Sequence, residues 1–148
     1  IANKGLFFTT LTLMALISRL IAGKVSDIYG RIPVMRIAIV LLAASYAFMG
    51  FINTPTQLLV ASGCIGFSAG IAGPAVFAWT IDRADEERRG RAMATVYIGL
   101  ELAIGSGALL SAYIYANDPS NFMMTFLAVV GITLLGLISL RASGQEGK

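Results

Sequence analysis

The sequence contains no histidine and only one cysteine, Cys64, which lies inside an apolar stretch. A single cysteine excludes a disulfide framework, and without histidine a Cys/His metal site is excluded as well. No metal or cofactor is therefore expected. The net charge of +3 is too small to indicate a nucleic-acid partner, and membrane topology explains it better.

Charged residues are also scarce, at 13% of the chain, against about 25% in an ordinary soluble domain. They leave long uncharged stretches, above all residues 37–81. Since a helix needs ~20 apolar residues to cross a bilayer, these stretches predict an all-α, polytopic transmembrane helix bundle. The five predicted spans are 5–22, 33–52, 57–80, 92–115 and 121–140.

The segments between the predicted spans alternate in charge. The segments on one side of the membrane contain nine basic residues, whereas the other side has Lys4 alone. Because basic loops stay in the cytoplasm, the loop that starts at Gly23, the charged loop 82–91 and the C-terminus are predicted to be cytoplasmic. The nine basic residues are Lys24, Arg31, Arg36, Arg83, Arg88, Arg89, Arg91, Arg141 and Lys148.

Glycines predict how the spans pack. In the third span they recur at intervals of three, four and three residues, which puts all four on one stripe. Small residues let helices approach closely inside a membrane, so the third span and the glycine-containing fourth are expected to be buried in protein. The aliphatic second and fifth spans are expected to face lipid. The four glycines of the stripe are Gly63, Gly66, Gly70 and Gly73.

The segment 23–31 carries a specific motif, with Gly23, then Asp27 four residues later, then Gly30 and Arg31. In this it resembles the major facilitator superfamily, which has such a loop between its second and third helices and again between its eighth and ninth. The resemblance implies that these four residues form a conformational latch. Ile28 and Ile32 depart from the family pattern, in which the best copies are basic.

The basic cluster Arg88, Arg89 and Arg91, which precedes a helix rich in small residues, is similar to the start of the family's fifth or eleventh helix. In the family's fourth helix, an arginine usually stands where this sequence has Ser62. Ser62 and the polar tail 141–148 favour the second half of a family member. The chain is therefore expected to hold helices eight to twelve of a C-terminal six-helix half, with the N-terminal half of the same protein absent.

Glu101 is the one acidic residue deep inside a predicted span. Because a carboxylate in the membrane costs at least ~2.5 kcal/mol, it is a functional candidate by default. Two roles are open. Glu101 could exchange protons or bind a cationic substrate, with Tyr97 one turn away as a hydrogen-bond partner. Alternatively, it forms a structural ion pair with Arg19.

Together with the resemblance, these features imply a transporter of small molecules that works by alternating access, with proton-coupled efflux (antiport) in the cell membrane as the expected direction. Uptake of a sugar, a peptide or a metabolite is an open alternative. The expected partners are the substrate, the lipid bilayer, protons and the N-terminal half. A small dimeric multidrug carrier or channel, complete in itself, is an alternative. An intramembrane enzyme is a weaker one, since no histidine and no clustered carboxylates lie within the spans.

Overall fold

The fold is built from five long α-helices, and the part of the chain that is described contains no strand. It is known from a computed structural model that describes the backbone of residues 4–143 and the side chains of residues 5–140. Each helix is long and apolar enough to cross a membrane, which confirms the predicted fold class. The helices are α1 (Lys4–Tyr29), α2 (Arg31–Met49), α3 (Pro55–Arg83), α4 (Arg89–Tyr115) and α5 (Phe122–Ser143).

The connection between α1 and α2 differs from the prediction. Where a loop was expected from Gly23, the helix continues to Tyr29 and Gly30 alone separates α1 from α2. Gly23 therefore lies within α1, and the expectation that it ends the first helix is wrong. Gly30 has φ 88, a conformation that residues with a Cβ rarely adopt. The chain therefore reverses at this single residue, which lies between the two helices.

The charged loop after α3 is also shorter than predicted. α3 continues to Arg83, so Asp82 belongs to the helix. One turn of 3₁₀ helix, Glu86–Arg88, then leads directly into α4. On the opposite side of the bundle, α3 begins with a capping box in which Thr54 and Gln57 satisfy each other's backbone N–H groups.

α3 is the centre of the bundle. It packs along α1 and α2 and touches α4, while α2 also packs against α5. The predicted burial of the third span is thus confirmed for α3. Within the described part of the chain α4 has no buried residue, so the expected burial of the fourth span stays a prediction that concerns helices outside this chain. The lipid-facing prediction for the second span is wrong for one face of α2, which packs against α3 and α5, whereas Ile37, Val40 and Leu41 remain exposed. The buried residues of α2 are Val34, Met35, Ala38, Ala43, Ser45 and Met49.

The helix ends coincide at one end of the bundle, which is called the basic end below. α1, α3 and α5 finish there, and α2 and α4 begin there. The three segments predicted to be cytoplasmic therefore adjoin a common end. The side chains of Lys4, Arg141 and Lys148, which contribute to the charge bias, lie outside the described residues.

Candidate functional site

Three charged residues meet at the basic end, and Arg31 lies between the other two. Its Nη1 is 2.5 Å from Oδ1 of Asp27, across the Gly30 reversal. Its Nε donates a hydrogen bond to Oδ2 of Asp82 at 3.0 Å. The fork of the guanidinium allows both contacts at once. This charge cluster of Asp27, Arg31 and Asp82 joins the end of α1, the start of α2 and the end of α3.

Ser26 fixes the position of the arginine in this cluster. It is buried, with 2% of its surface exposed, and its hydroxyl accepts a hydrogen bond from Nη1 of Arg31 at 3.1 Å. The carboxylates of the charge cluster are open to solvent, since the side chains of Asp27 and Asp82 are 64% and 54% exposed. The arginine is thus held on one side by protein, while its acidic partners are open to solvent.

The contribution of Asp82 was missed in the sequence, where it was assigned to a solvated loop. The predicted topology could have indicated this contact. The third span ends on the side of the membrane where the second span begins, so Asp82 and Arg31 lie on the same side. Of the predicted motif, the structure brings Asp27 and Arg31 together around Gly30, whereas Gly23 lies elsewhere in α1 with no atom within 4 Å of a Cβ placed on it.

The basic cluster before α4 is exposed and lies at the same end of the bundle. Nη2 of Arg89 is 3.7 Å from Oε1 of Glu86. Arg88 stands at the N-cap position of α4, without a side-chain hydrogen bond to cap the helix. Arg91 is the third residue of α4. None of these three contacts the charge cluster, so the two basic groups are separate features of the basic end.

The glycine stripe of α3 forms a close contact with α1 at two positions. A Cβ on Gly66 would lie 2.8 Å from the backbone carbonyl carbon of Leu11. A Cβ on Gly70 would lie 2.9 Å from Cα of Ala15 and would meet the hydroxyl of Ser18. Both distances are shorter than atoms tolerate, so only glycine fits at these positions.

The other two glycines of the stripe have more room. A Cβ on Gly63 would meet Met14 and Thr10 at 3.6 Å, an ordinary contact distance, and one on Gly73 would meet nothing within 4 Å. The close packing therefore ends before Gly73. The role of Gly73 in helix packing stays a prediction, because no described atom lies close enough to require glycine there.

Glu101 lies on α4 without a hydrogen bond or an ion pair from any described residue. Tyr97 does not bond to it, and instead stacks its ring on Phe77 with centroids 5.4 Å apart. Arg19 belongs to α1, which does not touch α4 in the described part of the chain. The structure thus does not bring together the three residues Arg19, Tyr97 and Glu101.

A cavity of about 440 Å³ lies between α2, α4 and α5. Its walls are mostly aliphatic, and polar side chains enter from Tyr46, Ser111 and two threonines. Among the described residues, no three His, Cys, Asp or Glu side chains lie close enough to hold a metal ion. The arrangement therefore offers charge contacts at the basic end and an apolar interior.

Comparison with known proteins agrees with this architecture. Over 134 residues, the chain is 31% identical to the Multidrug resistance protein MdtL of Vibrio parahaemolyticus serotype O3:K6 (strain RIMD 2210633). The match covers 87% of this chain and 34% of that relative's length. No solved structure matches the chain. The sequence profile of the Major Facilitator Superfamily matches residues 2–146. The chain therefore belongs to the Major Facilitator Superfamily.

Proposed function

We propose that the chain is part of a transporter that moves small molecules across the cell membrane by alternating access. The observation that carries this proposal is the charge cluster at the basic end, where Arg31 ties the ends of three helices together. In alternating access, two halves of a transporter rock around a site near the middle of the membrane. Contacts between helix ends on one side of the membrane would hold one of the two conformations.

The exposure of the charge cluster suits a contact that must open. Ion pairs in contact with water contribute little to stability, because solvent screens them and competes for their hydrogen bonds. The pairs of Arg31 with Asp27 and Asp82 can thus break and re-form as the helices move. The buried hydroxyl of Ser26 would keep the arginine in place for re-formation.

Glu101 supports proton coupling as part of the proposal. It lies twelve residues from the start of α4 at Arg89, about 18 Å along the helix axis at ~1.5 Å per residue. A carboxylate at this depth that has no partner among the described residues needs water, a proton or a group from elsewhere in the protein. Exchange of a proton there would couple transport to the proton gradient.

Efflux is the proposed direction, since the relative that this chain resembles is described as a multidrug resistance protein. Because the chain spans 34% of that relative, the remaining helices, including an N-terminal half, are proposed to lie in the same longer protein. They would cover the exposed surface of α4, which no described helix buries. The C-terminus is proposed to be cytoplasmic.

One sequence pattern in α3 would favour the alternative of an intramembrane enzyme. Residues 66–70 have the sequence Gly-Phe-Ser-Ala-Gly, which fits the Gly-x-Ser-x-Gly pattern of serine hydrolases. That pattern acts on a sharp turn that exposes the serine. Ser68 instead lies inside the continuous helix α3, is 1% exposed, and donates its hydroxyl to the carbonyl of Cys64 at 2.8 Å. The glycines of this segment serve helix packing, and family members are in general not enzymes.

The self-contained carrier remains the second candidate, and flux measurements separate it from a transporter half. If the chain is a transporter half, liposomes that contain it alone should show no substrate flux. Flux by the chain alone would support the small carrier and contradict the half-transporter proposal.

Proton coupling is tested by Glu101→Gln in the complete protein. The amide keeps the size of the side chain but cannot exchange a proton. Transport driven by a proton gradient should be lost, whereas substrate exchange, which needs no net proton movement, should survive. Glu87→Gln, a matched change in the exposed segment before α4, should leave both activities intact. Unchanged driven transport in Glu101→Gln would remove this residue from the mechanism, and loss of surface expression would assign it a structural role.

A further inference from the structure

Arg19 and Glu101 lie deep in their helices, and neither has a charged partner among the described residues. Arg19 is ten residues from the end of α1 at Tyr29, about 15 Å along the axis at ~1.5 Å per residue. Glu101 is about 18 Å from the start of α4. Because the hydrocarbon core is ~30 Å thick, both charges lie near its middle. Charges at this depth are rare and mark substrate or ion pathways.

The contact between α1 and α3 places Arg19 at the level of Gly73. A Cβ on Gly70 would lie 2.9 Å from Cα of Ala15, so these two residues are level with each other. Both helices run towards the basic end. Arg19 lies one turn beyond Ala15, and Gly73 lies about one turn beyond Gly70. Arg19 is therefore level with the turn of α3 that contains Gly73.

The contact between α4 and α3 places Glu101 at the same level. Tyr97 of α4 stacks on Phe77 of α3 with ring centroids 5.4 Å apart. Since α4 runs against α3, one turn deeper from this stack leads to Glu101 on α4 and to Gly73 on α3. Gly70, Gly73 and Phe77 share one stripe of α3, because they are three and four residues apart. Along this stripe, α1 and α4 contact α3 on either side of Gly73.

The surface of α3 is open at Gly73, between the two charges. A Cβ on Gly73 would meet no atom within 4 Å. In the described part of the chain α1 and α4 do not touch each other, and the side chains of Arg19 and Glu101 are both exposed. A cation and an anion thus lie at one depth, on two helices that leave space between them.

We propose that a small zwitterion binds beside Gly73, with its anionic group on Arg19 and its cationic group on Glu101. This rests on the proposed function, to which it adds the class of substrate. A guanidinium binds a carboxylate or phosphate through two parallel hydrogen bonds, and a carboxylate accepts hydrogen bonds from an ammonium group. A zwitterion compensates both charges of the site, whereas a ligand with one charge leaves the other without a partner.

Three probes with one carbon skeleton test the proposal in the complete protein, purified in detergent, with binding measured by equilibrium dialysis. The amino acid L-phenylalanine is a zwitterion, phenethylamine has only the cationic group, and 3-phenylpropionate has only the anionic group. The wild type should bind the zwitterion about tenfold or more tightly than either analogue, because a charge left without its partner is costly. Equal binding of the three probes, or no binding of the zwitterion, would overturn the proposal.

Removing each charge singly should give opposite preferences. Arg19→Gln should weaken binding of the zwitterion and of 3-phenylpropionate about tenfold and spare phenethylamine. Glu101→Gln should weaken binding of the zwitterion and of phenethylamine and spare 3-phenylpropionate. The amide oxygen in that variant still accepts a hydrogen bond, so substrate exchange at saturation should persist. The controls Lys24→Gln and Glu87→Gln remove exposed charges elsewhere and should leave all three affinities unchanged.

The space at Gly73 allows a test that changes no charge. Gly73→Leu fills this space and should weaken binding of the zwitterion about tenfold. Gly131→Leu, at an equally open position on α5, should bind as the wild type does. If the charge variants fail to fold, Gly73→Leu decides, and unchanged binding in it would contradict the site. Because these assays need no transport, a protein that transports other molecules but binds no zwitterion would refute the substrate class and leave the proposed function standing.

Discussion

Nε of Arg31 donates to Oδ2 of Asp82 at 3.0 Å, although 51 positions separate the two residues in the chain. The contact connects the first residue of α2 with the last turn of α3. Because α1 ends at Tyr29, two positions before Arg31, the ends of three helices meet at one guanidinium. A change in the position of any of the three helices must therefore stretch or break a contact of this arginine.

The carboxylate of Asp82 is accordingly expected to matter for transport. Two substitutions in the complete protein, Asp82→Asn and Asp27→Asn, each keep the size of the side chain but remove its charge. Each should lower the transport rate by up to about fivefold, since an exposed ion pair contributes roughly 0.2–1 kcal/mol, while the protein still reaches the membrane. Uptake into inverted vesicles measures the effect.

Asp85→Asn is the control for the charge cluster, because Asp85 is exposed at the same end and does not contact Arg31. It should transport as the wild type does. If Asp27→Asn and Asp82→Asn also match the wild type, the cluster only connects helices and has no part in the transport cycle.

The contact between α1 and α3 predicts unequal effects of alanine along the glycine stripe. Gly66→Ala and Gly70→Ala place a methyl group against the backbone of α1, and overpacking of this kind costs about 1–3 kcal/mol. Both variants should melt at lower temperature than the wild type in a thermal unfolding assay of the detergent-solubilised protein.

Gly73→Ala provides the internal control, since nothing lies within 4 Å of its added methyl group. It should be neutral or slightly stabilising, because alanine favours a helix by up to about 1 kcal/mol over glycine. Gly63→Ala should be tolerated better than Gly66→Ala. A loss at Gly73 as large as that at Gly66 would show that backbone contact is not the cause.

The orientation in the membrane can be tested with single cysteines in a Cys64→Ala background. Asn53→Cys lies in the short turn between α2 and α3, and Asp85→Cys lies between α3 and α4. An impermeant thiol reagent added outside intact cells should label Asn53→Cys and should not reach Asp85→Cys. The reverse pattern would invert the proposed topology and contradict the assignment of the basic end to the cytoplasm.

The sequence by itself determined the five helices and the membrane environment. Long uncharged stretches such as residues 37–81 are too apolar to be exposed to water. The turn residues 53–56 divide this stretch into two spans. Such patterns are local, because they depend on the solvent that each segment requires and on backbone preferences within it. The sequence did not determine where α1 ends, since Gly23 lies within the helix and a glycine only weakens a helix that tertiary contacts can hold together.

Only the tertiary structure decided which side chains meet. Asp82 became the partner of Arg31 because α3 returns to the end of the bundle where α2 begins. Space for a Cβ exists at Gly73 but not at Gly66. The sequence suggested an interaction between Arg19 and Glu101, but it could not show that their helices do not touch. Periodicity fixes the face of one helix, whereas contact between faces depends on how several helices pack together.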